Sequence, residues 1–442
     1  MSCMNTNIIA DPTLAASIAE HWNRGPVVFR DVLREPLFNL DEFMRGVKGT
    51  AAAYIKDPSN RAGRIFVEGE VIKPSQIPSF MPRGDSETFP EYINRLRSLY
   101  PNDFSIILAN CEAHIPVVRD RLTPLLHGLF SRVGYPVRRN HACIYAGTYR
   151  ATPFGIHRDD CHVLMFSGVG RKAMAFWPRP YFEVMKHLFI DDKLHARATD
   201  HIATAATFEI GPLDVLYWPA GMWHISLNQG TDFHAALSMG IYHRGSNAES
   251  FMALDFLPRV SAKGKLSESE RYDELDLDGY GASITSNGQV SAEDIKETAL
   301  GGFFEHWDRV RDQLNRSGER EYRALAMLVS SLSSAGFGEP FTLSSGPQAT
   351  VDNSMVQCVT PEGLVTSRAR DGVVVGANGK VLFYGAHLLE IENTITILRG
   401  GRPVLVHEVL ESVDESARPV VGGLIRDLLM SRAISIVELA SA

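Results

Sequence analysis

From residue 141 to residue 244 the sequence breaks into short β-rich runs separated by glycine and proline. The runs fall at 142–145, 162–167, 173–177, 206–210, 214–218 and 235–242. Each is too short to make a helix layer. Several short strands at this spacing suggest a sandwich or a barrel. A chain of 442 residues exceeds one ordinary domain, so more elements must flank this block.

The flanks read as helical. Residues 14–22 have helical spacing, and Gly25-Pro26-Val27-Val28-Phe29-Arg30 then reads as a turn and a short strand. Residues 87–100 and 113–134 carry apolar positions at helical intervals. Residues 181–197 read as an inserted helix and loop. The stretch 263–288 is polar and rich in Gly and Ser, a loop by composition. Residues 299–334 form a long helical tract with Phe303, Trp307, Val310, Leu314, Leu325 and Leu328 at its apolar positions, enough for a homodimer interface or for packing within the monomer. Beyond a boundary at 336–340 the spacing predicts strands at 373–375, 380–383 and 394–398 and a helix around 422–432. Asn378-Gly379 is a strong hairpin turn between the first two strands. A small winged-helix-like α/β domain is the expectation. The domain boundaries are therefore 1–244, 245–335 and 336–442, in a mixed α+β chain.

Inside the β block lie Gly155-Ile156-His157-Arg158-Asp159 and, much later, Pro219-Ala220-Gly221-Met222-Trp223-His224. Residues i and i+2 of a strand share a face, so His157 and Asp159 point into one interior. Two imidazoles and a carboxylate suit a non-haem Fe(II) and leave the opposite side of the metal open. A single His-x-Asp pair occurs often by chance. Its place in a β-rich block, with a strand, a Pro-x-Gly corner and a distal His224, is far more specific. Asp160 alternates to the other face. His162, His234 and His243 read as structural.

At these residues the sequence resembles the JmjC-type, cupin-fold Fe(II)/2-oxoglutarate oxygenases. It is most similar to the ribosomal-oxygenase branch, whose members hydroxylate side chains of ribosomal proteins. The resemblance covers about residues 140–244, and the order of the later segments is the same. It implies a double-stranded β-helix (jelly-roll) core, a helical dimerisation region and a winged-helix-like tail. It implies His157, Asp159 and His224 as iron ligands, with 2-oxoglutarate and O₂ as co-substrates. Lys172 falls where the family places the cation that holds the distal carboxylate of 2-oxoglutarate. A carboxylate in a partly dry barrel needs such a partner. Arg171 is the second choice, and a solvated turn is the bland reading of Lys172. Tyr145 and Ser238 sit where co-substrate contacts are implied, although both could be core fillers. Phe154 and Val163 depart from the polar contacts of some relatives.

The implied activity is hydroxylation of an unactivated C–H of an amino-acid side chain, with succinate and CO₂ released. The substrate is a protein or peptide, or alternatively a free amino acid or natural-product peptide. Two other classes compete: a non-catalytic cupin with a regulatory winged helix, and a metal-dependent cupin without 2-oxoglutarate. Acidic residues such as Asp160, Asp191 and Asp192 could receive a cationic side chain, or form a solvated loop.

Charge narrows the partners. The net charge is −8, and residues 339–442 carry twelve acidic against eight basic side chains. That balance argues against a nucleic-acid partner. No apolar run reaches membrane-spanning length, and Met1 to Thr13 lacks a basic leader, so no membrane partner is expected. The five cysteines are scattered without a Cys-x-x-Cys pair. That suits a reducing, cytoplasmic compartment, which also suits ferrous iron.

Overall fold

The computed structural model describes residues 8–242 and 325–437, apart from breaks at 57–62, 68–69, 73–75, 85, 102, 135, 137–139, 153–154, 160, 183–188, 191–192, 195–197, 229–231, 327, 331, 338–352, 360 and 370. Met1–Gly245 and Val329–Ala442 form one compact unit and Ser246–Leu328 a second. The polar stretch 263–288 and most of the helical tract 299–334 lie outside the described residues, as do Phe154, Asp160, Asp191, Asp192 and His243. Among the described residues no helix is long and apolar enough to cross a membrane.

The chain opens with α1 (Leu14–Glu20), β1 (Val27–Phe29), α2 (Leu40–Lys56), β2 (Gly63–Val67), β3 (Glu70–Val71), α3 (Ile77–Phe80), α4 (Phe89–Leu99), β4 (Phe104–Leu108) and α5 (Pro116–Val133). Local signals set these ends. The backbone N–H of Thr88 donates to the Glu91 carboxylate at 2.8 Å, closing the start of α4. Pro116 opens α5 where its missing N–H costs nothing, and Gly134 follows its end at φ 93°.

The β block follows as β5 (His141–Gly147), β6 (Ile156–Arg158), β7 (His162–Val169), β8 (Lys172–Trp177), β9 (Phe189–Ile190), β10 (Lys193–Leu194), α6 (Ala198–Ile202), β11 (Ala206–Ile210), β12 (Val215–Trp218), β13 (Trp223–Leu227) and β14 (His234–Ile241). The predicted runs are strands. The described part of 181–197 instead holds β9 and β10, and β10 pairs alongside β6. An eight-stranded sheet has the order β1-β12-β7-β14-β5-β4-β2-β3, and a six-stranded sheet the order β11-β8-β13-β6-β10-β9. Adjacent strands in both are antiparallel.

Period-two alternation sorts the faces. Val163, Met165, Leu216, Trp218 and Ala236 of the large sheet pack with Met174, Phe176 and Ile210 of the small one, so the two sheets face each other. The other face of the large sheet buries Ile144, Leu164, Phe166, Leu237 and Met239 beneath the N-terminal helices. The outer face of the small sheet buries Ile156, Ala175, Trp177, Trp223 and Ile225 around Phe182.

Gly147 closes β5 where β4 approaches. A Cβ there would meet the Phe104 carbonyl oxygen at 2.1 Å, and φ is +149°. Gly147→Ala is expected to cost about 3 kcal/mol, at the upper end for overpacking. Urea denaturation measures it, and a loss below about 1 kcal/mol would contradict this packing.

The C-terminal part contains β15 (Met355–Cys358), β16 (Leu364–Ala369), β17 (Gly372–Ala377), β18 (Lys380–Tyr384), α7 (Leu388–Arg399), β19 (Val404–Leu405), α8 (Val406–Glu411), α9 (Arg418–Met430) and β20 (Ile434–Val437). It has two three-stranded sheets, β19-β15-β20 and β16-β17-β18. Asn378 and Gly379 take the left-handed conformation at φ 48° and 88°, and turn β17 into β18 as predicted. The expected strand at 394–398 is a correction: it belongs to α7. The β-branched run Thr394-Ile395-Thr396-Ile397 suggests a strand. The buried residues Ile391, Thr394, Ile395 and Leu398 fall at helical spacing and pack on this part's own core.

This part docks on α5 through polar contacts. Arg119 donates to the Asn378 carbonyl at 2.7 Å, and Arg432 pairs with Asp120 at 2.7 Å. Burial holds the Asp120 carboxyl above its usual range, although Arg432 pulls the other way. Arg432→Met leaves that carboxylate buried without this partner. It is expected to cost about 1–3 kcal/mol in urea denaturation. Unchanged stability would mean that the pair contributes nothing.

Candidate metal centre

Strand register brings the three candidate ligands together. His157 on β6 pairs directly with His224 on β13, and a cross-strand pair points to one face. Their neighbours Ile156, Trp223 and Ile225 lie on the outer face, so both imidazoles face the interior between the sheets. The two rings are 4.3 Å apart. Asp159 follows the end of β6, and its Oδ2 lies 3.5 Å from His224 Nε2. One ligand atom from each of His157, Asp159 and His224 lies within 4.8 Å of the others.

Backbone carbonyls set the imidazole orientations. His157 Nδ1 lies 3.1 Å from the Gly155 oxygen, and His224 Nδ1 lies 2.9 Å from the Met222 oxygen. In each ring the Nδ1–H donates, which leaves the Nε2 lone pair for a metal. The Gly221 N–H donates to the Asp159 carbonyl at 2.7 Å and ties the corner before His224 to the end of β6. Gly221 has φ +77°, a conformation that glycine adopts without strain. Two nitrogens and a carboxylate on one side, oriented in this way, fit a divalent iron. Trp218 and Phe176 wall His224, with ring centroids at 5.2 and 6.1 Å.

Lys172 opens β8 and shares the inward face of Met174 and Phe176. It is 1% exposed. Its Nζ lies 2.6 Å from the Tyr149 hydroxyl and 2.9 Å from His234 Nε2. The ammonium also rests 4.4 Å from the Tyr149 ring centre. Asn228 supports His234 at 2.8 Å through Nδ1. Among the described residues no carboxylate contacts Lys172. Burial pushes the ammonium well below lysine's usual value. Burial first, and the Lys172 charge second, push His234 down to about 2.

Tyr145 and Ser238 also face inward. Tyr145 is on the same side of β5 as Cys143, and Ser238 pairs with Cys143 and Met165. Burial raises the Tyr145 phenol, and Cys143 and Asp159 add to the shift. Arg171, the alternative anchor, is on the outer face and paired with Glu209. Val163 is buried between the sheets. His162 is structural: it stacks on Trp22 at 4.0 Å and meets the Tyr217 hydroxyl at 3.0 Å.

No family model matches the sequence, and no curated protein does. Solved structures do. An X-ray structure of E. coli YcfD is 14% identical, over 96% of this chain and 98% of its own, with a TM-score of 0.50. A crystal structure of the Escherichia coli ribosomal oxygenase YcfD is 13% identical, over 98% of this chain and all of its own, also at 0.50. The chain has a ribosomal-oxygenase-like fold. At this identity the likeness is one of fold, and the chemistry must be argued from the residues.

In this ribosomal-oxygenase-like fold, sequence reasoning missed Tyr149, Asn228 and the contact of His234 with Lys172. Alternation along β14 carries a signal for His234: positions 238, 236 and 234 share the inward face. Tyr149 lies two residues beyond the end of β5. No periodicity reaches it there.

Proposed function

We propose that this protein is an Fe(II)- and 2-oxoglutarate-dependent oxygenase that hydroxylates an unactivated C–H of an amino-acid side chain in a protein or peptide. One observation carries the reading. Three metal-donor groups and a buried lysine that meets no carboxylate among the described residues face the same interior. His157, Asp159 and His224 would hold the iron. Once bound, the iron would supply O₂ activation coupled to conversion of 2-oxoglutarate to succinate and CO₂. Lys172 would anchor the distal carboxylate, and Tyr145 and Ser238 would line the pocket between. Trp218 and Phe176 exclude water from one side of His224, and the backbone carbonyls keep both imidazoles in the donor orientation.

The polypeptide substrate is proposed from the ribosomal oxygenase named among the similar structures. A free amino acid or a natural-product peptide is the second reading. The donor set is intact, which speaks against a cupin that has lost its metal. The same proposal includes a double-stranded β-helix core, a winged-helix-like C-terminal domain, a homodimer and a cytoplasmic location.

The test is succinate formation from 2-oxoglutarate by the purified protein with Fe(II), ascorbate and O₂, with and without a cellular peptide extract. Turnover that disappears in His157→Ala and Asp159→Ala, and rises with the extract, is the expected result. Iron binding without succinate under any of these conditions would sink the assignment.

A further inference from the structure

Lys172 has an unusual set of neighbours for a cation. Among the described residues, the titratable groups that face it are Tyr149, beyond β5, and His234, on β14. Its partner across β11 is the apolar Ile210. From β7, the Ser167 hydroxyl is turned away to the Gly170 carbonyl at 2.7 Å. Arg171 and Glu209 pair with each other on the outer face. A buried ammonium without an anion is strongly disfavoured by desolvation, whereas a neutral amine escapes most of that penalty.

The contacts suit both protonation states. With Asn228 Nδ2 donating to Nδ1, neutral His234 carries its proton on Nε2. As a neutral amine, Nζ then accepts the Nε2–H into its lone pair and donates one N–H to the Tyr149 oxygen. As an ammonium, it keeps the Tyr149 contact and donates to Nε2 once the imidazole proton sits on Nδ1 and the Asn228 amide turns its oxygen toward it, with a third N–H left for a carboxylate oxygen. His234 stays neutral in both, and Asn228 holds its far nitrogen.

We propose that 2-oxoglutarate binds together with one proton, which Lys172 takes from solvent: the free pocket holds the amine, and the bound distal carboxylate converts it to the ammonium. This rests on the reading of the pocket as the 2-oxoglutarate site. The new ion pair compensates the buried charge that the free pocket does not carry. The depression of the Lys172 ammonium and the neutrality of His234 follow from the same burial. Lysine, unlike arginine, can make this exchange near neutral pH, because its proton is removable when buried.

The experiment is calorimetric titration of the full-length Fe(II)-loaded protein with 2-oxoglutarate, anaerobically, near neutral pH, in buffers of different ionisation enthalpy. The slope of heat against ionisation enthalpy counts protons. The expected uptake is about one proton for the native chain and about zero for Lys172→Arg, whose guanidinium keeps its proton. Because the larger side chain could exclude the ligand, the native chain is also titrated across pH. There, uptake should fall toward zero as pH drops below the free Lys172 value, and affinity should rise about tenfold per unit of falling pH in the window above it. Binding without proton uptake, or uptake that is undiminished in Lys172→Arg, overturns this proposal and leaves the oxygenase reading standing. Uptake that does not vary with pH also overturns it. No binding of 2-oxoglutarate overturns both.

Discussion

Asp159→Ala is expected to weaken Fe(II) binding by more than about a hundredfold, the upper end of what loss of an outer-shell partner alone costs. His157→Ala should do the same. Asp159 supplies the carboxylate of the set, 3.5 Å from His224 Nε2. Without it, two imidazoles remain on one side and affinity must rest on them. The fold should hold, because the Asp159 side chain is substantially exposed and its structural contact is the backbone carbonyl to Gly221. Titration with Mn(II) followed by electron paramagnetic resonance measures the metal, and a thermal melt checks the fold. Metal affinity unchanged in both variants, with the melt intact, would remove this centre.

Lys172→Met should act in two opposite directions. Removing one partner of a buried charge pair costs about 2–5 kcal/mol, so 2-oxoglutarate affinity should fall by about thirtyfold to several thousandfold. The ligand-free protein should become more stable. The folded-state value of Lys172 lies below that of the unfolded chain, so the unfolded state binds more protons. The stability cost of this lysine is therefore full below the folded value and fades as pH rises toward the unfolded one. Methionine removes that cost while filling similar volume. A higher melting temperature at neutral pH, with the gain shrinking at alkaline pH, is the expected pattern. A melting temperature that drops at neutral pH would show that Lys172 stabilises the free fold, although no described carboxylate contacts it.

The cluster of His157, Asp159 and His224 was legible in the sequence because it rests on local rules. His157 and Asp159 sit two apart, and Gly221 marks the corner before His224. Strand periodicity then aims each side chain without knowledge of the partner strand. The hairpin at Asn378-Gly379 was legible for the same reason, since left-handed turn geometry selects those two residues. Residues 394–398 misled because β-branched residues favour strands locally, while four buried positions at helical spacing packed them into α7. Of the adjacent candidates, the resemblance put Lys172 ahead of Arg171, which alternates to the other face. Which one β8 turns inward depends on its register with β11 and β13.

The sequence by itself determined the strand-rich block, the shared face of His157 and Asp159 and the turns around them, because these follow from steric rules reaching only a few residues. The tertiary structure alone decided the surroundings of Lys172. Tyr149 follows β5 and His234 opens β14, and only the closing of two sheets around a common interior brings both to one buried nitrogen, with Asn228 behind His234. The charge state of that nitrogen is set by the water it loses and the neighbours it gains, and neither is written at position 172.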